Sequence, residues 1–364
     1  MKKSVLFLSI ASTLSFANEA LSTSFSHQNI SSPSPNIHAP CISSRVFFND
    51  KPYFFSTSQD GRLNKHNTTN HFITSTKVIE DNVSNLTLSN DGRFIILADN
   101  TKHKLLILSS EDLSILKTIP TEDKFGKMHT IQAVHNAYQR NTFIVAFDNL
   151  KEVWEISYET PPPMGFGKWM HDYRENAGEN SGLDRTKNLF PVRQVHTKYS
   201  LNDFMFSPEQ ELIIGFTAEK TAHIIDLDLG RITKNIAIPA STGVSWVYHG
   251  NPILALPATD GKSTLIIDMK SWKTTHQLNI PSKQLYSHNA SPYIWAVDIK
   301  STSQDMVHIL DKQNMKLVQS LDIQNVAHIN FSPDGHKVVI QSCSLKSGFI
   351  IYDTHSLKPI VPAL

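Results

Sequence analysis

The 364-residue chain holds 17 histidines, scattered without a His-Glu-x-x-His or any other metal-ligand spacing. Histidines so placed serve mostly as exposed or hydrogen-bonded strand residues. His129 and His135 lie six residues apart, a spacing that shares one face of a strand. The two cysteines, Cys41 and Cys343, have neither zinc-finger spacing nor a Cys-x-x-Cys-His motif for covalent attachment of a cofactor. In an oxidising compartment they form a pair; otherwise they stand as two separate buried thiols. No serine-nucleophile elbow, phosphate-binding glycine loop or compact carboxylate motif stands out. One acid is set apart by position: Asp148 ends the run Phe143-Ile144-Val145-Ala146-Phe147 and precedes Asn149-Leu150-Lys151. There it either caps a turn or, where strand ends gather near an axis, acts as a general base.

The elements that must position these residues form a repeat. Short apolar strands end in a polar residue, commonly Asp, followed by a turn: His223-Ile224-Ile225-Asp226, Leu265-Ile266-Ile267-Asp268, His308-Ile309-Leu310-Asp311 and Ile350-Ile351-Tyr352-Asp353. Weaker copies end at Asn67, Ser109 and Ser157, giving steps of 42, 48, 69, 42, 43 and 42 residues. In phase with them run turn signals such as Asn90-Asp91-Gly92-Arg93, Asn289-Ala290-Ser291-Pro292 and Ser332-Pro333-Asp334-Gly335, each introducing a β-rich run. A period of about 40–45 residues made of short strands predicts an all-β fold, a seven- or eight-bladed β-propeller of four-stranded antiparallel blades. Seven units are visible between about residue 41 and 361; an eighth would draw on residues 18–40.

The 69-residue step contains an insertion opened by Thr160-Pro161-Pro162-Pro163 and running through Trp169, His171, Tyr173 and Arg174 to about Asn188. Its Pro, Gly and charge content predicts a loop over 160–188, a lid or a surface excursion. At the other end, Lys2 and Lys3, the mostly apolar Val5–Leu14 and the small residues of Ser15-Phe16-Ala17 form the tripartite pattern of a secretory signal over 1–17, cleaved near Ala17. Residues 18–40, rich in Ser, Asn and Pro, read as a flexible arm ahead of a propeller over 41–364. No later segment approaches ~18 uncharged apolar residues, so no membrane span is expected. With 34 Lys and Arg against 33 Asp and Glu, mixed along the chain, the net charge of +1 argues against a nucleic-acid partner.

Several segments carry a family resemblance. Asp91-Gly92-Arg93-Phe94, then His103-Lys104-Leu105-Leu106-Ile107-Leu108, then Val145-Ala146-Phe147-Asp148 with Glu152-Val153-Trp154 resemble the cytochrome d1-type haem d1 propeller family, above all its haem d1 biosynthesis branch, the NirF proteins. Gln59-Asp60-Gly61-Arg62-Leu63 is similar to the family's Asp-Gly turn in an early blade, and Leu265-Ile266-Ile267-Asp268-Met269-Lys270-Ser271-Trp272 resembles the NirF pattern further along the chain. The resemblance covers about residues 41 to 361. It implies eight blades and a bound tetrapyrrole, haem d1 or a dihydro-haem d1 precursor, handled in the periplasm late in making the cofactor of denitrification. The sequence holds no Cys-x-x-Cys-His, so no cytochrome c domain is expected and the resemblance is not to the full nitrite reductase.

The resemblance also implies a site. Asp148 matches the family's acid at that strand end and would assist proton transfer during side-chain modification. Where the family has a histidine before its early blade, this chain has Cys41-Ile42-Ser43, with His38 three residues upstream. Where the family has a histidine before a Gly-Trp pair, it has Ser241-Thr242-Gly243-Val244-Ser245-Trp246, with Tyr248 and His249 beyond. The implied iron ligand is therefore His38, Cys41 or His249, with Trp246 at the pocket. Arg45, Arg62 or Arg193 would pair with propionates, since Arg binds carboxylates bidentately. Other haem d1 biosynthesis proteins or a nitrite reductase are the implied partners. The competing reading is a non-catalytic periplasmic interaction propeller that holds a protein through its loops and the 160–188 insertion.

Overall fold

The computed structural model describes residues 45–47, 53–57, 61–67, 72–79, 83–159, 189–217, 221–238, 243–298, 305–332, 334–342 and 349–361. The expected signal, the arm, the 160–188 insertion, His38, Cys41 and Cys343 all lie outside these residues, as do the side chains of 45–47.

Alternating burial dictates the local structure. Runs such as Thr142–Phe147 and Lys104–Ser109 are largely apolar and are buried on both faces, as strands sandwiched between neighbouring sheets must be. The described strands form seven four-stranded antiparallel sheets, each built from consecutive strands of the chain. The blades span residues 45–78, 83–120, 131–196, 203–236, 244–278, 284–322 and 326–361 and are numbered 1 to 7 here. The inner strand of blade 1, Arg45–Phe47, lies against Val83–Leu88 of blade 2 and against Val326–Phe331 of blade 7, so the ring closes at seven.

Up-and-down order gives the ring two distinct faces. Every inner strand starts at one face, the upper, where the blade-to-blade loops and the turns between second and third strands also lie. The lower face carries the first-to-second and third-to-fourth turns. The recurrent Asp at the end of each third strand is explained there. Asp226 Oδ1 accepts the N–H groups of Asp228 and Leu229 at 2.9 and 2.8 Å, and Asp311 Oδ1 those of Gln313 and Asn314 at 2.7 and 3.0 Å. Asp268 and Asp353 do the same for their own turns. These are Asx turns that close the outer hairpin, a bland but sufficient reason for the repeat signature.

Each blade-to-blade interface holds its own apolar cluster. Between blades 2 and 3, for example, Ile96 and Ile107 meet Phe143, Trp154 and Phe190. The smallest such cluster among the described residues joins blades 7 and 1: Phe54 with Val339, Phe349 and Ile351. The outer strand of blade 7, Pro359–Val361, pairs with its own blade and no strand is exchanged. Among the described residues, closure rests on side-chain packing. Phe54 meets Phe349 edge-on at 4.9 Å and stacks on His66 at 4.7 Å, while His66 Nε2 is bonded to the Ser56 hydroxyl at 2.7 Å.

Truncating Phe54→Ala at this seam is expected to cost about 3–5 kcal/mol, in the range of buried Phe truncations elsewhere. Urea unfolding read by tryptophan fluorescence checks this; a loss below ~1 kcal/mol would mean that the seam is not closed by Phe54.

Candidate functional site

The inner strands of blades 2 to 7 enclose an axial cavity of about 530 Å³, a size typical of small-molecule and cofactor sites. Alternate side chains of an inner strand turn to its two neighbouring blades, as Phe204 does towards blade 3 and Met205 towards blade 5, so consecutive residues border the axis. Phe204, Phe206, Leu285 and Phe331 supply apolar wall, and His135, Asp203, Tyr286, His288 and His328 supply polar groups. Among the described lining residues there is no lysine or arginine, and Asp203 is the sole carboxylate.

Two polar pairs stand in the middle of the channel. His135 Nε2 and Asp203 Oδ1 are 3.1 Å apart, linking the inner strands of blades 3 and 4. The His135 ring is held edge-on to Phe204 at 4.7 Å, and Asp203 Oδ1 also accepts the Phe204 N–H at 2.8 Å. In blades 6 and 7, the Tyr286 hydroxyl donates to Gln284 Oε1 at 2.8 Å and lies 3.3 Å from His328 Nδ1. Burial, reinforced by the nearby His135, pushes His328 down to about 4. Burial, with Asp203 adding to it, pushes Tyr286 well above the usual tyrosine range. Both groups therefore stay neutral across the physiological range.

The lower mouth is floored. The Asn289 side-chain amide of blade 6 reaches across the axis to the Tyr138 hydroxyl of blade 3 and to the Pro208 carbonyl of blade 4, the latter at 3.1 Å. Gln139 N–H donates to Gln210 Oε1 at 2.8 Å, and the Gln139 amide to the Pro208 carbonyl at 3.2 Å. Burial raises Tyr138 to about 12, so it too stays protonated. His288 lies beside this floor between Tyr138 and Phe331. Its backbone carbonyl accepts a hydrogen bond from the buried Lys312 Nζ at 2.6 Å. Gly335, in the left-handed region at φ +71°, passes so close that a Cβ there would come within 2.2 Å of His288 Nδ1.

The expected site residues are scattered by comparison. Asp148 is exposed in an upper-face turn of blade 3, its N–H bonded to the Thr130 carbonyl at 2.8 Å, and does not line the cavity. Arg62 is exposed at the upper end of its strand in blade 1, and Arg45 starts the inner strand of that blade. Arg193 is not available to a propionate from the cavity. It sits on the outer strand of blade 3, where its guanidinium is committed to Glu155, a fully buried carboxylate, and to the Leu227 carbonyl of blade 4. Trp246 is core between blades 5 and 6, its indole N–H donating to the Lys312 carbonyl at 3.3 Å. His249 is exposed at a lower-face turn with φ +47° and does not line the cavity. His129 and His135 do not share a strand face: the strand begins at Ile131, and His129 is buried upstream against Asp123 at 3.1 Å.

Asp203, Tyr286, His288 and His328 escaped the sequence reading. A usable signal was present, since each inner strand immediately precedes one of the flagged turns. Tyr286 and His328 are 42 residues apart, the step of the repeat itself.

Residues 26–176 and 184–362 match the family described as the Cytochrome D1 heme domain. The chain is 25% identical over 289 residues to dihydro-heme d1 dehydrogenase of Pseudomonas aeruginosa, covering 77% of this chain and 53% of that protein. It thus spans about half the length of that curated relative. The fold is similar to the structure of dihydro-heme d1 dehydrogenase NirN in complex with DHE, with a TM-score of 0.64 at 24% identity, covering 87% of this chain and 65% of that one. The Myceliophteria thermophila Cps50 (Swd1) β-propeller domain shares the fold at 12% identity, with a TM-score of 0.55 over 85% of this chain and 94% of its own.

His328 generates an acid-sensitivity prediction. Its folded-state pKa, about 4, lies below the ordinary 6.5, so its contribution is fully present above pH ~6.5 and is lost as pH falls towards 4. His328→Gln is expected to remove roughly 2 kcal/mol of the stability difference between pH 7 and pH 4, after discounting for water in the channel. Urea midpoints at the two pH values check it; an unchanged difference would show that His328 is not held neutral.

Proposed function

The chain belongs to the cytochrome D1 heme domain family, and from that premise we propose that it is an exported, NirF-like protein binding haem d1 or a dihydro-haem d1 precursor in its axial cavity during haem d1 biosynthesis. The observation that carries the reading is the cavity itself. It is floored below, bordered by the partly exposed Phe206 and Phe331, and furnished with imidazole and phenol groups. Flat aromatic walls and uncharged hydrogen-bonding groups suit the faces and nitrogens of a macrocycle. A bound tetrapyrrole supplies its own redox chemistry, while the protein supplies orientation, exclusion of water and proton handling.

The remaining assignments follow chain order. His38 or Cys41, a few residues ahead of the blade 1 inner strand, is proposed as the iron ligand, and Arg45 and Arg62 on blade 1 as propionate partners at the upper rim. Asp148 belongs to that same face, as a rim group. Lys2, Lys3, the apolar run to Leu14 and Ser15-Phe16-Ala17 support export to the periplasm.

Anaerobic titration with dihydro-haem d1 or haem d1 is expected to give a saturable absorption shift at one equivalent. Thr87→Trp, which fills the cavity from the blade 2 wall, should weaken that affinity at least tenfold without unfolding the protein. An unshifted spectrum with the wild-type protein would reject the reading; capture of a protein partner that survives without tetrapyrrole and depends on 160–188 would favour an interaction propeller instead. Separately, N-terminal sequencing of the exported protein is expected to begin at Asn18, and a mature chain retaining Met1 would overturn the export proposal.

A further inference from the structure

We infer that the two lower-face turns of blade 7 carry a site for one late first-row divalent metal ion such as Zn(II), with His336 Nδ1 and His355 Nδ1 as its protein ligands. Neither residue lines the axial cavity, so the site does not depend on what the cavity binds. Strand pairing brings the two histidines together. Lys337 and Asp353 are register partners at the lower ends of the second and third strands of the blade, and His336 and His355 stand exposed on the adjoining turns. Their ring centroids are 4.9 Å apart, with planes inclined by 36°. The two Nδ1 atoms are nearer still, at 3.5 Å. The nitrogens are thus turned towards one another across a gap.

The width of that gap decides what fits it. A proton shared between ring nitrogens suits a span of about 2.7–3.2 Å, usual for an N–H donor, and bridges 3.5 Å poorly. Zinc holds an imidazole nitrogen at about 2.0–2.1 Å, which sets two tetrahedral ligands about 3.3–3.4 Å apart. A small ring rotation reaches the second arrangement. The Thr354 hydroxyl lies 3.4 Å from His355 Nδ1 but spends its hydrogen on the Gly335 carbonyl at 2.6 Å. It therefore does not occupy that nitrogen's lone pair.

The metal does not have to organise the turns. Asp334 Oδ1 accepts the His336 N–H at 3.0 Å, and Asp353 Oδ1 accepts the His355 N–H at 3.1 Å. Thr354 N–H donates to the His336 carbonyl at 2.9 Å, tying one turn to the other. A backbone already in place lowers the ordering cost of binding. The same tie recurs from Ser110 to Arg93 in blade 2 and from Met269 to Pro252 in blade 5. The positions of the histidines are taken there by Arg93 with Glu111 and by Pro252 with Lys270, so the scaffold itself does not call for two imidazoles.

Among the described residues no third histidine, cysteine or carboxylate completes a cluster, so water fills the remaining positions. Imidazole selects Zn(II), Cu(II) or Ni(II) over Mg(II) and Ca(II), which take oxygen ligands. Binding ties the turn before Lys337–Ser342 to the turn after Phe349–Asp353. Those strands carry Val339, Phe349 and Ile351 of the seam with blade 1, so the ion braces the blade that closes the ring.

The test uses the full chain and Zn(II) alone, at a pH where imidazole is neutral. Equilibrium dialysis in chelator-free buffer is expected to give one equivalent bound before weaker sites fill. With ¹⁵N-labelled histidine, the Nδ1 signals of His336 and His355 should move together as zinc is added. His336→Gln and His355→Gln should each weaken that equivalent at least about tenfold, the scale of a lost contact around a metal. Both positions are exposed, so the variants are expected to fold. The double variant should be within about threefold of the weaker single, because one imidazole no longer closes the chelate. Zinc at about 100 times its dissociation constant should raise the folded-to-unfolded ratio in urea about 100-fold in wild type, and less than about threefold in the double variant. An affinity unchanged by either substitution, or coordination through Nε2, places the ion on other histidines and overturns the inference. A stability gain that survives in the double variant, or is absent in wild type, overturns it as well.

Discussion

Seven sheets can enclose a channel only if the last packs on the first, and among the described residues that contact is made by side chains. Phe54, Phe349, Val339 and Ile351 bear it, with the Phe54 ring stacked on His66 and His66 bonded to Ser56. Stability in such a ring is close to a sum of neighbour interfaces, so this seam contributes as one interface among seven. The interface between blades 3 and 4 shows the opposite strategy. There the buried Glu155 receives Arg140 at 2.9 Å and also Arg193, and the two arginines go on to Asp228 and the Leu227 carbonyl of blade 4. A buried carboxylate with two guanidinium partners is costly to break. That is why Arg193 belongs to the frame and not to a ligand.

The channel chemistry is a consequence of closure. His135 and Asp203 are 68 residues apart in the chain, and Tyr286 and His328 are 42 apart; only the curvature of the ring brings the two pairs within electrostatic reach of one another. His135 depresses the His328 proton affinity and Asp203 raises that of Tyr286. Change the number of blades and the radius changes, and those couplings fall away with distance.

This explains what could and could not be read in the sequence. The Asp226, Asp268, Asp311 and Asp353 series was legible because each carboxylate closes a turn of its own, two and three residues on. Local hydrogen bonds leave local signatures, so the blades and their period were legible too. Asp148 carried the same kind of local signal and turned out to lie in a turn on the rim. Trp246 and Arg193 were chosen for their chemistry, yet an indole is used as core and a guanidinium as a clamp whenever the neighbouring blade supplies a partner. The cavity groups left no local mark. Tyr286 and His328 occupy equivalent positions of successive repeats, and which strand residues face the axis depends on register, fixed by the turn that follows each inner strand.

The distribution of charge constrains how a carboxylate-bearing macrocycle would sit. An ionised carboxylate buried without a partner is strongly disfavoured, and the described lining offers it no lysine or arginine while placing Asp203 at mid-channel. The floor formed by Asn289, Tyr138 and Pro208 closes the lower exit. A tetrapyrrole in this cavity must therefore keep its acidic side chains towards the upper face, where Arg62 is exposed and Arg45 begins the blade 1 inner strand. Orientation of the ring then follows from electrostatics before any iron ligand is engaged, with the less polar edge directed down the channel towards His135, Tyr286 and His328.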